Sequence, residues 1–297
     1  MSFVLTTTEL TKRYGKLTAV DKLNLQIPKG SVYGILGPNG SGKTTTLGMI
    51  LGATIPSSGS FSWFDSGDAA HHRTRIGSLL EKPNFLPNLN AVKNLKIIAE
   101  VKGCGYSNID DSLRITGLFD RRNHKFGTYS FGMKQRLAIA GVLLADPEVL
   151  VLDEPTNGLD PKGIVEVRDI IKNVASTGKT VILASHLLDE VEKVCTHVAI
   201  LKKGEMLSEN VLDEAHKESE IILIEAQNQE LLGKLMAEYE LNSVRFNGVY
   251  WQADVPETFD TAALTTWLVE QNCPPTMIRK VKPKLEEAFM KVIGEGI

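Results

Sequence analysis

The chain has 297 residues, 42% of them hydrophobic and 23% charged, with a formal net charge of −3. That length suits about two domains with full cores. The mild acidity argues against a nucleic-acid surface, which calls for a basic balance. No window approaches the roughly 20 apolar residues of a spanning helix, and the N-terminus lacks a basic start followed by an apolar core. Work at a membrane is therefore expected to rely on a partner that does the spanning. Three scattered cysteines, Cys104, Cys195 and Cys273, form no C-x-x-C pair, which suits a reducing compartment and buried structural roles.

Residues 3 to 31 read as short strands around turns: Phe3 to Leu5 is apolar, Tyr14-Gly15-Lys16 breaks it, and Leu23 to Ile27 alternates with period two. Tyr14 lies on such a turn, where a purine could stack on its face or the ring could pack on the sheet. An apolar run, Val32 to Leu36, then leads into Gly37-Pro38-Asn39-Gly40-Ser41-Gly42-Lys43-Thr44-Thr45, which fits G-x-x-x-x-G-K-[ST]. Glycines let backbone N–H groups converge on an anion, a helix N-terminus adds partial positive charge, and Lys43 supplies a full charge to the β- and γ-phosphates. The Thr44 hydroxyl suits a magnesium ion. Strand before and helix after are the context this motif requires, so a nucleoside triphosphate is expected here.

Phe61 to Gly77 reads as polar and irregular, with adjacent His71 and His72 in solvent, since neighbours on a regular element cannot face one metal. Ile76 to Leu80 is a candidate strand ending at Glu81. Two prolines, Pro83 and Pro87, forbid regular structure after it. Asn90 opens a helical pattern closed by Gly103, a short helix covers Asn108 to Thr116, and residues 82 to about 145 form a mostly helical insertion. Within it, Tyr129-Ser130-Phe131-Gly132-Met133-Lys134-Gln135-Arg136 precedes an apolar helix, Leu137 to Ala145. A serine and glycine at a helix start make a second anion site from hydroxyl, free N–H groups and dipole.

Glu148 to Glu154 is a near-continuous apolar run ending in two acids, as expected of a central parallel strand with carboxylates emerging at its carboxyl end. Asp153 would serve magnesium, and Glu154 could orient and deprotonate a water aimed at the γ-phosphate. Pro155 to Pro161 turns into a helix reaching Ser176. Thr180 to Ala184 is the next buried strand, ending at Ser185-His186, where the histidine can donate to a γ-phosphate oxygen. A helix from Leu188 to Cys195, a strand from His197 to Leu201 and a turn at Lys203-Gly204-Glu205 complete this part. His124 and His197 read as structural.

This order of phosphate loop, helical insertion with YSFGMKQR, VLVLDE, NGLD and SH resembles the nucleotide-binding subunit of an ABC transporter, over residues 3 to about 215. The resemblance implies an α/β P-loop NTPase fold with a helical subdomain, over a domain of residues 1–215. It implies two subunits arranged head to tail, as a homodimer or with a second ATPase subunit, and ATP with Mg2+ between them. Each ATP would lie on Lys43 and its loop, Gly37 to Thr45, in one copy, and under Ser130, Gly132 and Met133 of the other. Tyr14 would stack on adenine, Thr44, Asp153 and Glu81 would serve magnesium, and Asp160 would cross the interface. Glu154 would be the general base, assisted by His186 and Lys43. An integral membrane permease would be the partner, placing the chain at the cytoplasmic face of the membrane. The bend from Glu81 to Pro87, with Phe85 and Leu89, would form its groove. Two departures stand out: Glu81 where the family usually has glutamine, and Phe131 and Met133 where glycine and glutamine are common. Signatures of this form resemble the bacterial peptide-antibiotic export and immunity branch. The alternative is a soluble ABC-type ATPase acting on ribosomes or nucleic acid, but those usually carry two nucleotide domains or a long coiled-coil insert. A GTPase or small-molecule kinase lacks support, because no N-K-x-D run is present.

Residues 216–297 read as strand (Ile221 to Ile224), helix (Glu230 to Tyr239), a hairpin from Val244 to Val255 turning at Asn247-Gly248, helix (Thr258 to Gln271), an extended segment (Thr276 to Val281) and helix (Lys284 to Val292). That order suggests a small ferredoxin-like α+β domain with an accessory, regulatory or dimer-stabilising part to play.

Overall fold

A computed structural model of the chain describes residues 2–64, 72–80, 84–211, 220–239 and 241–281. It divides into two compact units, Met1–Asn210 and Val211–Ile297. The first unit opens with β1 (Phe3–Tyr14), β2 (Leu17–Leu23) and β3 (Gln26–Pro28), and β1 pairs antiparallel with both of the others. β4 (Val32–Leu36) and α1 (Lys43–Ile50) follow, and β5 (Ser58–Trp63) returns to the other side of β1, pairing Leu5 with Trp63 and Thr7 with Phe61.

β5 corrects the expectation of an irregular stretch from Phe61. Its alternation is carried by only two large side chains, Phe61 and Trp63, too few to stand out among serines. Trp63 is buried and its indole Nε1 donates to the Ile50 carbonyl at 2.7 Å, which fixes the strand. His72 is a second correction. It is buried, with its ring 5.2 Å from that of Phe64, whose ring also carries the Arg75 guanidinium at 3.6 Å. An aromatic surface nearby in space, not in sequence, draws it out of solvent. His71 lies outside the described residues.

The second sheet of this unit holds β4, β6 (Ile76–Leu79), β7 (Val149–Asp153), β8 (Thr180–Ser185), β9 (His197–Lys202) and β10 (Glu205–Val211), in the order β10-β9-β4-β8-β7-β6. From β9 through β4, β8 and β7 to β6 each strand pairs in parallel with the next. Every residue of β4 is buried, as are the first four of β7, which is why these strands read as unbroken apolar runs. The register sets Leu36 opposite Ser185 and Asp153 opposite Ala184, so the carboxyl ends of β4, β7 and β8 lie level.

Between β6 and β7 the chain builds a helical lobe of α2 (Ala91–Lys102), α3 (Ile109–Ile115) and α4 (Phe131–Leu143). Asn90 caps α2 by accepting from the Lys93 amide at 2.9 Å, and Gly103 ends it in the left-handed region. α4 starts six residues before the expected Leu137, because the Ser130 hydroxyl caps it by accepting from the Met133 amide at 3.2 Å. The lobe has its own core, including Leu95, Leu113, Phe126, Tyr129 and Leu137. After β7, Asp160 caps α5 (Pro161–Ser176), and α6 (Leu188–Val194) follows β8. All three cysteines are free thiols; Cys195 and Cys273 are buried, which pushes both thiols up, while Cys104 is partly exposed. Among the described residues no helix is long and apolar enough to cross a membrane.

The second unit runs β11 (Glu220–Ala226), α7 (Gln229–Glu238), β12 (Asn242–Phe246), β13 (Trp251–Val255), α8 (Thr261–Glu270) and β14 (Pro275–Val281), with strand order β12-β13-β11-β14 and antiparallel pairing throughout. Leu232, Leu235 and Met236 of α7 and Leu264 and Leu268 of α8 pack on Ile222, Ile224 and Ala253. The hairpin loop is longer than the two residues expected at Asn247-Gly248. The Asn247 amide donates to the Tyr250 carbonyl at 3.1 Å while its own side chain accepts from the amides of Val249 and Tyr250, so the asparagine closes a four-residue turn. The expected helix from Lys284 to Val292 lies outside the described residues.

Gly233 in α7 lies under the Trp251 ring, where an added Cβ would sit 2.2 Å from the nearest ring atom. The indole is pinned by its Nε1 donating to the Gln229 carbonyl at 2.9 Å, so it cannot swing aside freely. Gly233→Ala is expected to destabilise this unit by about 1–3 kcal/mol. Amide hydrogen exchange should speed up in β11 and β13 and stay unchanged in β4 and β8.

Candidate active site

β4 delivers the chain into the loop Gly37 to Gly42, and α1 begins at Lys43 without a side-chain cap and without an acid in its first turn. The first amides of such a helix are left to an anion. Gly42 makes the turn possible: its φ is +105°, and an added Cβ would stand 2.5 Å from the Ala19 carbonyl oxygen of β2. The loop is also supported from behind. The Gly204 amide donates to the Ser41 carbonyl at 3.0 Å, and the Gly204 carbonyl accepts from the Asp21 amide at 2.8 Å. Gly204, in the turn between β9 and β10, is thus part of the site's frame, a role its hairpin context in the sequence does not signal.

Lys43 is buried. Its Nζ donates to the carbonyls of Gly37 at 2.8 Å and Pro38 at 3.3 Å, and lies 3.4 Å from Oε1 of Glu154. The other carboxylate oxygen of Glu154 is 2.8 Å from Nδ1 of His186. Glu154 adopts φ +46°, unusual for a residue with a side chain, and its amide donates to the Ala184 carbonyl of β8 at 3.0 Å. Such strain persists where surrounding structure imposes it, as it commonly does at reacting centres. One carboxylate is thereby held between an ammonium and an imidazole.

Asp153, one residue earlier, is partly buried, and burial pushes its carboxyl up. The neighbouring Glu154 adds to that, while the Thr44 hydroxyl hydrogen bond and the Lys43 charge work against it. Its Oδ1 is buried without a hydrogen-bond partner. A hydroxyl beside an incompletely satisfied carboxylate is a donor set that fits a hard cation such as Mg2+, which takes few protein oxygens and completes its shell with phosphates and water. Among the described residues no group of three or more His, Cys, Asp or Glu forms a metal cage.

The site residues expected from sequence fall into two sets. Lys43, Thr44, Asp153, Glu154 and His186 come together at the level ends of β4, β7 and β8, with Pro38, Asn39 and Gly40 exposed around them, Ser41 buried and Thr45 half-buried in the loop and its helix. Tyr14 ends β1 with its ring exposed and the Lys12 ammonium 5.0 Å from the ring centre. Ser130, Gly132 and Met133 open α4, and Asp160 accepts from the Gly163 amide at 3.0 Å. Among the described residues, no hydrogen bond or ion pair joins these four to the phosphate loop, Asp153 or Glu154 of the same chain. Glu81 lies outside the described residues.

Residues 20–157 match the ABC transporter family profile. A bacitracin transport ATP-binding protein, BcrA of Bacillus licheniformis, is 38% identical over 308 residues, spanning 100% of this chain and 99% of that protein. The chain belongs to the ABC transporter ATP-binding family. As an ATP-binding subunit of that family it binds and hydrolyses ATP to drive transport. BcrA of Enterococcus faecalis is 33% identical over 100% of the chain and 98% of its own length. SrtF of Streptococcus pyogenes, a lantibiotic transport ATP-binding protein, is 40% identical over 65% of the chain and 84% of its own length. These relatives match the peptide-antibiotic branch that the signature resembles. Among solved structures, cbiO1 of Clostridium perfringens, part of an ABC transporter complex, is 30% identical, with a TM-score of 0.63 over 72% of this chain and 90% of that one. A dimeric ATP-binding cassette in a post-hydrolysis state with ADP and phosphate is 28% identical, with a TM-score of 0.62 over 70% and 98%.

In this ATP-binding subunit, Gly42→Ala forces a methyl group against the Ala19 carbonyl in a backbone region that costs a side chain about 1–3 kcal/mol. The loop should shift, and ATP titration should show at least a tenfold weaker affinity, about 1.4 kcal/mol. The second unit should unfold as before.

Proposed function

We propose that two copies of this subunit, or one copy and a second ATPase subunit, close head to tail on two ATP molecules and open again on hydrolysis. The reading rests most on the carboxylate of Glu154, held between Lys43 and His186 at the end of β7. On binding, the Lys43 ammonium exchanges its loop carbonyls for phosphate oxygens, and the uncapped start of α1 receives the remaining charge. Glu154 accepts a proton from the attacking water, and His186 orients that carboxylate and donates to a γ-phosphate oxygen. A magnesium ion, held by Thr44 and Asp153 when bound, neutralises charge on the phosphates. Tyr14 offers an exposed ring to adenine. Glu81 is assigned the remaining contact to metal or water.

The opposing half of each site is assigned to Ser130, Gly132 and Met133 at the start of α4, with Asp160 crossing between copies. In favour of this is a helix start that presents no acid in its first turn and has no bond to its own phosphate loop. Phe131, in place of the usual glycine, is exposed there. The permease is assigned to an open groove of about 240 Å3 on the edge of β6, lined by Leu79, Phe85, Ile98, Lys102 and Ala138. The chain then works at the cytoplasmic face of the membrane. The named functions of the full-length relatives favour a peptide antibiotic as cargo, recognised by the membrane subunit. Residues 216–297 are assigned an accessory role in regulating or stabilising the dimer.

Glu154→Gln should keep ATP binding, lower phosphate release by at least about a hundredfold, and accumulate closed dimers on size-exclusion chromatography with ATP. Normal release from that variant would sink the assignment. Lys43→Ala should lose nucleotide binding in a fluorescent-ATP titration, and an unchanged curve would count against the phosphate loop as the site.

A further inference from the structure

The geometry points to the ion pair of Arg168 and Glu190 as the element that positions Glu154 and His186 for hydrolysis, an inference that rests on the roles proposed for those two residues. Arg168 belongs to α5 and Glu190 to α6, with Nη1 3.7 Å from Oε2 and only 20% and 17% of the side chains exposed. The pair lines a small pocket together with Pro155, Thr156 and Ser185. Pro155 follows Glu154 directly, and Ser185 directly precedes His186. The Ser185 hydroxyl accepts from the Leu187 amide at 3.0 Å, closing the turn that carries the histidine.

The two helices differ in how well they are held. α5 has sixteen residues, an aspartate cap, and a second ion pair in which Glu166 meets Arg136 of α4 at 3.3 Å. α6 has seven residues and no side-chain cap. A helix that short does not hold itself, so its placement comes from what it packs against. Arg168 is the charged tie from the fixed helix to the unfixed one, which it meets at Glu190, four residues beyond His186. The tie is not a packing convenience. Its separation exceeds a hydrogen bond, and Arg168 Nε and Glu190 Oε2 are both buried without one. Apolar side chains of similar size would fill the space at less cost. Glu190 Oε1 is taken by Lys193 of its own helix at 3.2 Å, so the largely buried contact of Oε2 with Arg168 is what holds one arrangement of the two helices, and with it the angle at which His186 meets Glu154.

The test uses the full chain with Arg168→Gln, Glu190→Gln and both together, measuring phosphate release and ATP affinity. A positioning pair predicts that kcat falls by about tenfold or more in each single variant, with KM for ATP and the binding curve within about twofold. The double variant should lose no more than the worse single one, because the pair acts as a unit. Glu148→Gln, which breaks the pair of Glu148 with Arg75 at 2.6 Å near the opposite end of β7, serves as a structural control and should leave kcat unchanged. Unchanged kcat in Glu190→Gln, losses that multiply in the double variant, or a kcat loss that Glu148→Gln reproduces at equal loss of melting temperature would each overturn the proposal. Full turnover in Glu154→Gln would instead strike the assignment of the base on which it rests.

Discussion

Burying the Lys43 ammonium is tolerable only because oxygen surrounds it. Two carbonyls of its own loop and one carboxylate of Glu154 take the place of water. Each of those oxygens is set by a separate piece of backbone: the loop by β4 and the turn at Gly204, the carboxylate by β7 and the hydrogen bond to Ala184. The ammonium is therefore held in place by oxygens that are themselves fixed. Electrostatic groups fixed in advance, in a place shielded from solvent, are what phosphoryl transfer requires from a protein.

The helical lobe answers a different requirement. Its core is separate from that of the sheet, so the start of α4 is carried on a body of its own. Glu166 of α5 reaches Arg136 of α4, while the other end of Arg136 holds the Thr116 carbonyl at 3.0 Å. Helix α5 is thus flanked by ion pairs on both sides, one toward the lobe that starts at Ser130 and one toward the helix that follows His186. The start of α4 and the turn that carries His186 share α5 as a common neighbour.

Much of this was legible in the residues because the chemistry is local. The phosphate loop, the acids ending β7 and the histidine ending β8 each sit where a buried strand stops, and the strands announce themselves as apolar runs. Asn90 and Gly103 bracket α2 as capping chemistry dictates. What escaped was set by distant partners. β5 exists because β1 has a free edge, His72 is buried with its ring against that of Phe64, and the Asn247 turn is shaped by a side chain accepting two amides. Gly204 gave no sign of its duty at the loop, since its only sequence signal was that of a turn. The same holds for Arg168 and Glu190, which no motif marks and which meet only when α5 and α6 are brought side by side.

The support of the loop by Gly204 has a consequence for how the protein comes into being. Some 160 residues of chain separate the lysine from the turn behind it, and β4 lies between β8 and β9, both of which are translated long after it. A ribosome that has made the entire nucleotide motif has still made nothing able to hold ATP. The emerging chain must expose β4, apolar throughout, until the last third of the unit arrives to flank it, and that interval is when such a strand is open to aggregation or to a chaperone.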